Sequence, residues 1–283
     1  MTTTCVDFHG QPVLRMRLPS GDQCTVALHG AQVLSWITAD GRERFYLSDR
    51  ALLDGKSAIR GGAPVCWPQF NERGALPKHG FVRNVAWHMS QGKSVPDAPG
   101  AQVLQLSLDD GLKTREIWPH KFALRLSVTL APSRLRIALE AHNTDREPWS
   151  FTTALHSYLR VDDIAAARLA GLEGREAWDA LRDTRQVQAA EALGFDAQFD
   201  SVFSGPATSL ELRQGSGVVR IAQSESFGET VVWNPGAALA AELADLPDDD
   251  YRHMLCVEAA AIDTPVLLAP GSRWQGWQEL RTN

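Results

Sequence analysis

Residues 122–139 carry the pattern that most restricts what this chain can fold into. Phe122, Leu124, Leu126, Val128 and Leu130 alternate with smaller or polar residues, and after Ala131-Pro-Ser-Arg the alternation resumes at Leu135, Ile137 and Leu139. A period of two sends every second side chain to one face of a strand, whereas a helix would scatter the same residues around its circumference. The stretch therefore reads as an antiparallel hairpin with one buried face. A lone hairpin cannot bury that face, so the rest of the chain must extend the sheet and cover it.

Candidates for those strands recur along the sequence. Residues 12–37 hold three short runs, punctuated by Gly21-Asp22 and Gly30-Ala31. A polar turn at Asp40-Gly41 leads to Arg44-Phe-Tyr-Leu-Ser. Val103-Leu-Gln-Leu-Ser-Leu lies between Pro99-Gly100 and Asp110-Gly111, and residues 149–161 form a further strand region. Later candidates are Thr208-Ser-Leu-Glu-Leu-Arg, Val218-Val-Arg-Ile-Ala, Thr230-Val-Val-Trp, Met254-Leu-Cys-Val-Glu and Trp274-Gln-Gly-Trp-Gln-Glu-Leu. Only Arg175-Glu-Ala-Trp-Asp-Ala-Leu-Arg and residues 186–193 suggest a turn or two of helix. Many short strands with frequent turn signals predict an all-β protein, a large antiparallel β-sandwich with a few short helices. No repeat, linker or low-complexity run divides the chain, so residues 1–283 are expected to form a single domain.

Composition narrows the function classes. A formal net charge of −6 argues against a nucleic-acid or anionic-membrane surface as the main partner. Met1-Thr-Thr-Thr-Cys-Val-Asp has neither the basic start nor the apolar run of a signal peptide, and no apolar stretch reaches the roughly 18 residues that span a bilayer. Cys5, Cys24, Cys66 and Cys256 are scattered without C-x-x-C spacing, so buried thiols in a reducing, cytoplasmic setting are expected. His79, His88, His120, His142 and His253 show no metal-ligand spacing. Glycine-rich nucleotide motifs and a Gly-x-Ser-x-Gly elbow are absent. The expectation is an activity without metal or cofactor.

Against this acidic background one segment is cationic. Lys56, Arg60, Arg73, Lys78 and Arg83 face a single acid, Glu72, so everything outside this segment sums to −10. Gly61 and Gly62 permit close backbone approach, while Pro64, Pro68 and Pro77 fix the path of the chain. Arg60 and Arg83 offer planar forks suited to phosphate or carboxylate. The segment reads either as an anion site or as a solvated loop whose charges serve solubility.

Two later residues stand out. His156 lies in Thr153-Ala-Leu-His-Ser-Tyr-Leu, where alternation places it with Ala154 and Tyr158, opposite Leu155 and Leu159. A histidine in a strand is more often structural than catalytic. Glu258, in Leu255-Cys-Val-Glu-Ala-Ala, has apolar neighbours, and a carboxylate stripped of water needs a partner or a task. Facing each other across a concave sheet, the two would form a general acid/base pair. Of the nine tryptophans, most would be core, and some would suit stacking on a sugar ring.

Five segments, in order, resemble the aldose 1-epimerase (galactose mutarotase-like) superfamily, and within it the hexose-6-phosphate mutarotase, or glucose-6-phosphate 1-epimerase, branch. They are Ala58-Ile-Arg-Gly-Gly-Ala-Pro-Val-Cys-Trp-Pro-Gln-Phe, Leu76-Pro-Lys-His-Gly-Phe-Val-Arg-Asn, Ala154-Leu-His-Ser-Tyr-Leu, Val232-Trp-Asn-Pro and Met254-Leu-Cys-Val-Glu-Ala-Ala. Together they span nearly the whole chain. The resemblance implies a β-sandwich binding sugar on its concave face, with His156 as general acid and Glu258 as general base. It also implies that Arg60, Lys78, His79 and Arg83 surround a phosphorylated sugar and that Asp200 contacts substrate hydroxyls. Lys78 stands where the branch commonly has Gln, and Phe199-Asp-Ser-Val-Phe departs from the usual Asp-Arg-aliphatic-Tyr. The implied reaction is exchange of the α and β anomers of a hexose 6-phosphate, D-glucose 6-phosphate first. Alternatives are a mutarotase for unphosphorylated aldoses and a non-catalytic carbohydrate-binding or sensor protein. The expected partner is a small-molecule sugar phosphate, bound by a monomer, with no nucleic acid and no membrane.

Overall fold

The structure, a computed structural model, describes residues 2–90, 100–206 and 209–282. The alternating stretch forms the strands Phe122–Ala131 and Arg134–Asn143, paired in antiparallel register with Leu130 opposite Leu135 and Leu126 opposite Leu139. Their apolar positions are buried. This hairpin lies in a sheet that is nine-stranded among the described residues. It is extended on one side by Gln102–Asp109 and His88–Met89, and on the other by Arg273–Thr282, Gly217–Gln223, Leu210–Gln214, Arg168–Ala170 and Ala192–Leu193. Thr208 and Pro99, each at the end of a predicted segment, lie outside the described residues.

A second sheet, eight-stranded among the described residues, covers it. Its order is Thr184–Val187, Glu176–Asp179, Phe199–Ser204, Glu229–Asn234, Met254–Leu268, Trp149–Leu155 and Val65–Cys66, with Tyr158–Arg160 also pairing to Met254–Leu268. Alternation sorts the residues of this second sheet. Leu255, Val257, Ala259 and Ala261 turn inward to the main core with Phe151, Leu155, Val232 and Phe203. Cys66, Ala154, Val202, Val231 and Ala260 turn to the opposite face, as do Tyr158 and Cys256. A four-stranded meander, Thr2–Phe8, Gln11–Arg17, Gln23–Ala27 and Val33–Ile37, lies at the N-terminal end of the chain.

The cationic segment is held by the core beneath it. Trp67 points inward, its ring centroid 4.8–6.1 Å from those of Phe81, Trp118, Phe122, Trp149 and Phe151. Gly61 and Gly62 have φ of +119° and +60°. A Cβ at these positions would fall 2.5 Å from the Tyr46 carbonyl oxygen and 2.1 Å from that of Val33. Their close approach is thus to the protein's own backbone rather than to an anion.

Several expectations need correction. Residues 175–193 contain no helix: they form the strands Glu176–Asp179, Thr184–Val187 and Ala192–Leu193. The α-helices among the described residues are Leu112–Ile117 and Gly236–Glu242 instead. Arg44-Phe-Tyr-Leu-Ser makes isolated bridges, such as Phe45 to Leu159 and Leu47 to Gly61, and no continuous strand. Cys24, Cys66 and Cys256 are buried free thiols, but Cys5 is exposed, because it sits on the edge strand Thr2–Phe8. No helix among the described residues is long and apolar enough to cross a membrane.

Candidate active site

Strand register brings the site together. On Met254–Leu268, Glu258 stands opposite Val231 and Cys256 opposite Trp233, while Trp233 in turn faces Asp200. Leu155 pairs with Ala259 and Tyr158 with Cys256. Both pairings share one register, so it carries through the break between Trp149–Leu155 and Tyr158–Arg160 and sets His156 across from Glu258. The His156 N–H donates to the Pro64 carbonyl at 3.0 Å, continuing the register that pairs Ala154 with Cys66 and Leu155 with Val65. His156 Nε2 lies 3.3 Å from Glu258 Oε1, with the two residues 7% and 1% exposed. His156 Nδ1 and Glu258 Oε2 are buried without a hydrogen-bond partner among the described residues.

A cavity of about 280 Å³ opens over this pair. Its lining includes all seven residues singled out from the sequence: Arg60, Lys78, His79, Arg83, His156, Asp200 and Glu258. That size sits at the lower end for small-ligand pockets. The cationic segment supplies one wall. Arg83 donates from Nη2 to the Lys78 carbonyl at 3.0 Å, and its Nε is buried without a partner among the described residues. Lys78 is exposed at the rim. His79 and Gly80 both have left-handed backbone, φ +64° and +72°, and a Cβ on Gly80 would lie 2.0 Å from the Trp67 carbonyl oxygen. That turn directs the His79 ring inward, where it meets His156 edge-on at 5.4 Å between centroids.

Arg60 is engaged within the protein. Its Nε and Nη2 donate to Asp245 at 3.0–3.2 Å, and its Nη1 donates to the Tyr158 hydroxyl at 3.1 Å. Tyr158 then stacks on His156, centroids 4.8 Å apart and planes 12° apart. Asp245, Tyr158 and Trp233 therefore belong to the site although none was among the candidates from sequence. Trp233 sat in a recognised segment and Tyr158 on the correct face of its strand. Asp245 lies in an Ala- and Asp-rich run that carries no signal.

Burial governs the charges. It pushes the Glu258 carboxyl well above the usual range, with Asp200 adding to the effect. Burial likewise pushes His156 down to about 3, helped by Arg83 and Arg60. Asp200 is raised to about 6 by burial and by Asp179, against the pull of Arg73 and Lys78. At neutral pH both shifts favour the neutral pair, with one proton on the Glu258 carboxyl, over the ion pair with that proton on the imidazole. No group of three or more His, Cys, Asp or Glu among the described residues could hold a metal ion.

With this geometry in place, comparison with known proteins is informative. The family model for aldose 1-epimerase matches residues 12–281. A Cenchrus ciliaris protein named "Putative glucose-6-phosphate 1-epimerase" is 36% identical over 260 residues, covering 89% of this chain and 78% of its own. An Escherichia coli K12 protein of the same name is 34% identical, covering 84% and 79%. The crystal structure of "a putative mutarotase" from Salmonella typhimurium superposes with a TM-score of 0.89 at 27% identity, over 99% of this chain and 94% of that one. A galactose mutarotase-like protein from Clostridium acetobutylicum shares the fold, with a TM-score of 0.75 at 14% identity, over 100% and 98% of the two chains.

Proposed function

This chain belongs to the aldose 1-epimerase family, and we propose that it interconverts the α and β anomers of a hexose 6-phosphate, with D-glucose 6-phosphate as the first candidate. One observation carries the reading: a buried His156–Glu258 contact of 3.3 Å at the base of a cavity walled by Arg83 and Lys78. The names of the relatives point to the same substrate.

In this reading Glu258 removes the proton from the anomeric O1 while His156 protonates the ring oxygen. The C1–O5 bond breaks, C1=O1 forms, and rotation about C1–C2 presents the other carbonyl face. Closure with both proton transfers reversed gives the other anomer. The ion-pair form of the couple is the reactive one. A carboxylate whose proton affinity is raised by burial is a stronger base than a solvated one, and an imidazolium disfavoured by burial is a stronger acid. Neither proton leaves the site, so the couple returns to its starting count after each turnover. Asp200 and His79 face the sugar hydroxyls, and Arg83 and Lys78 receive the phosphate.

A second reading, an enzyme for unphosphorylated aldoses, is favoured by the engagement of Arg60 with Asp245 and Tyr158, which removes one cation from anion binding. Exchange spectroscopy on glucose, galactose and mannose 6-phosphates beside the free sugars separates the two. The proposal expects faster exchange only for phosphorylated sugars; equal acceleration of free glucose would refute it.

A further inference from the structure

We infer that Cys66 is a positioning residue, whose thiol holds His79 in the tautomer with its proton on Nε2, facing the cavity. The consequence for catalysis rests on reading that cavity as the sugar site. Strand alternation sends Val65 and Trp67 to the core and Cys66 to the opposite face. There its Sγ lies 3.2 Å from His79 Nδ1. A second group meets the same nitrogen: the Asn71 backbone N–H, at 3.3 Å. A backbone N–H can only donate, so Nδ1 presents its lone pair and the ring proton resides on Nε2.

The thiol takes part as a donor. Cys66 is fully buried, and burial pushes its pKa up, so it keeps its proton. His79 is held neutral, because burial, His156 and Arg83 all oppose its charged form. A protonated Nδ1 would confront the Asn71 N–H and forfeit the hydrogen bond that the thiol donates. The ring therefore has one arrangement that satisfies its surroundings. Among the described residues no hydrogen bond engages Nε2, and the ring lines the cavity beside His156. Its Nε2–H is a neutral donor aimed at whatever oxygen enters, which suits a sugar hydroxyl or ring oxygen. Among the described residues the Cys66 thiol makes its hydrogen bond to His79, and it is through that bond that it acts on the ring.

The test joins a spectroscopic readout to a kinetic one. Long-range ¹⁵N–¹H correlation of the His79 ring, on the full chain without substrate, is expected to show Nε2–H and bare Nδ1 in the wild type and in Cys66→Ser, which keeps a donor. In Cys66→Ala the Asn71 N–H is the remaining donor to Nδ1, so Nε2–H is expected to stay the major form beside an Nδ1–H population absent from the wild type. Anomer exchange of glucose 6-phosphate in Cys66→Ala should fall about 3–10-fold in kcat/KM, the scale of one net hydrogen bond, with recovery in Cys66→Ser. A wild-type Nδ1–H tautomer, or a Cys66→Ala protein with unchanged tautomer and unchanged kcat/KM, would overturn the inference. If the tautomer shifts in Cys66→Ala but the wild type exchanges no sugar, the positioning role stands and the proposed function falls.

Discussion

Replacing Asp200 by Asn should stabilise the protein at alkaline pH while impairing its activity. Asp200 lies on Phe199–Ser204, partly buried beside Trp233, with its pKa raised from 3.8 to about 6 by burial and by Asp179. The folded state therefore binds a proton more tightly than the unfolded chain does. Stability falls as pH rises through the window from 3.8 to about 6, and above it the penalty is fully present. Taken at face value the shift corresponds to about 3 kcal/mol at pH 8 and about half of that at pH 5. Relaxation and water entry reduce the gain to about 1–3 kcal/mol at pH 8. Asn keeps the shape without the charge, so denaturant unfolding of the two proteins at pH 5, 6.5 and 8 should give a difference that grows with pH. Catalysis should suffer under the proposed function, because Asn lacks the charge that raises the proton affinity of Glu258. Functional sites commonly hold such destabilising charges. A difference that is absent, or that grows as pH falls, would show that Asp200 carries no such burial penalty.

The two arginines should separate in kinetics. Arg83→Ala removes a guanidinium whose Nε has no partner among the described residues, and is expected to raise KM for glucose 6-phosphate about 10–100-fold with little change in kcat. Arg60→Ala strips the partners from Asp245 and Tyr158, and because Tyr158 stacks on His156 it is expected to lower kcat and the unfolding midpoint together. Steady-state kinetics and thermal unfolding check both. Gly80→Ala places a methyl 2.0 Å from the Trp67 carbonyl oxygen at a φ of +72°, so it should destabilise by more than about 1 kcal/mol in denaturant titration and displace the adjoining His79.

What the sequence made legible was what alternation makes legible. Residues 122–143 declare their pairing because one face is dry and the other wet, and the same rule put His156 and Tyr158 together and opposite Leu155. Residues 175–182 and 186–193 suggest helix, yet contribute to the strands Glu176–Asp179, Thr184–Val187 and Ala192–Leu193, for the converse reason. Thr184–Val187 is exposed throughout at the sheet edge, so burial imposes no period, and the Glu, Ala, Leu and Arg around it favour helix locally. The edge strand Thr2–Phe8, with its run of threonines, likewise gives no apolar alternation. Gly236–Glu242 is too short to show a helical period. At the site, the residue types and their order along the chain suggested which side chains gather. They could not reveal that Arg60 is held by Asp245, since 185 residues separate the two and no motif links them. Nor could they show that Glu258 meets His156, which depends on the register across Met254–Leu268.

Anomer exchange by the His156–Glu258 couple is measured directly by two-dimensional exchange spectroscopy on equilibrated glucose 6-phosphate. The wild type should accelerate α–β exchange far above the spontaneous rate. Glu258→Gln, nearly isosteric and without a basic carboxylate, should return exchange to that rate while unfolding cooperatively and keeping the wild-type circular dichroism. Undiminished exchange in a folded Glu258→Gln protein would contradict the account.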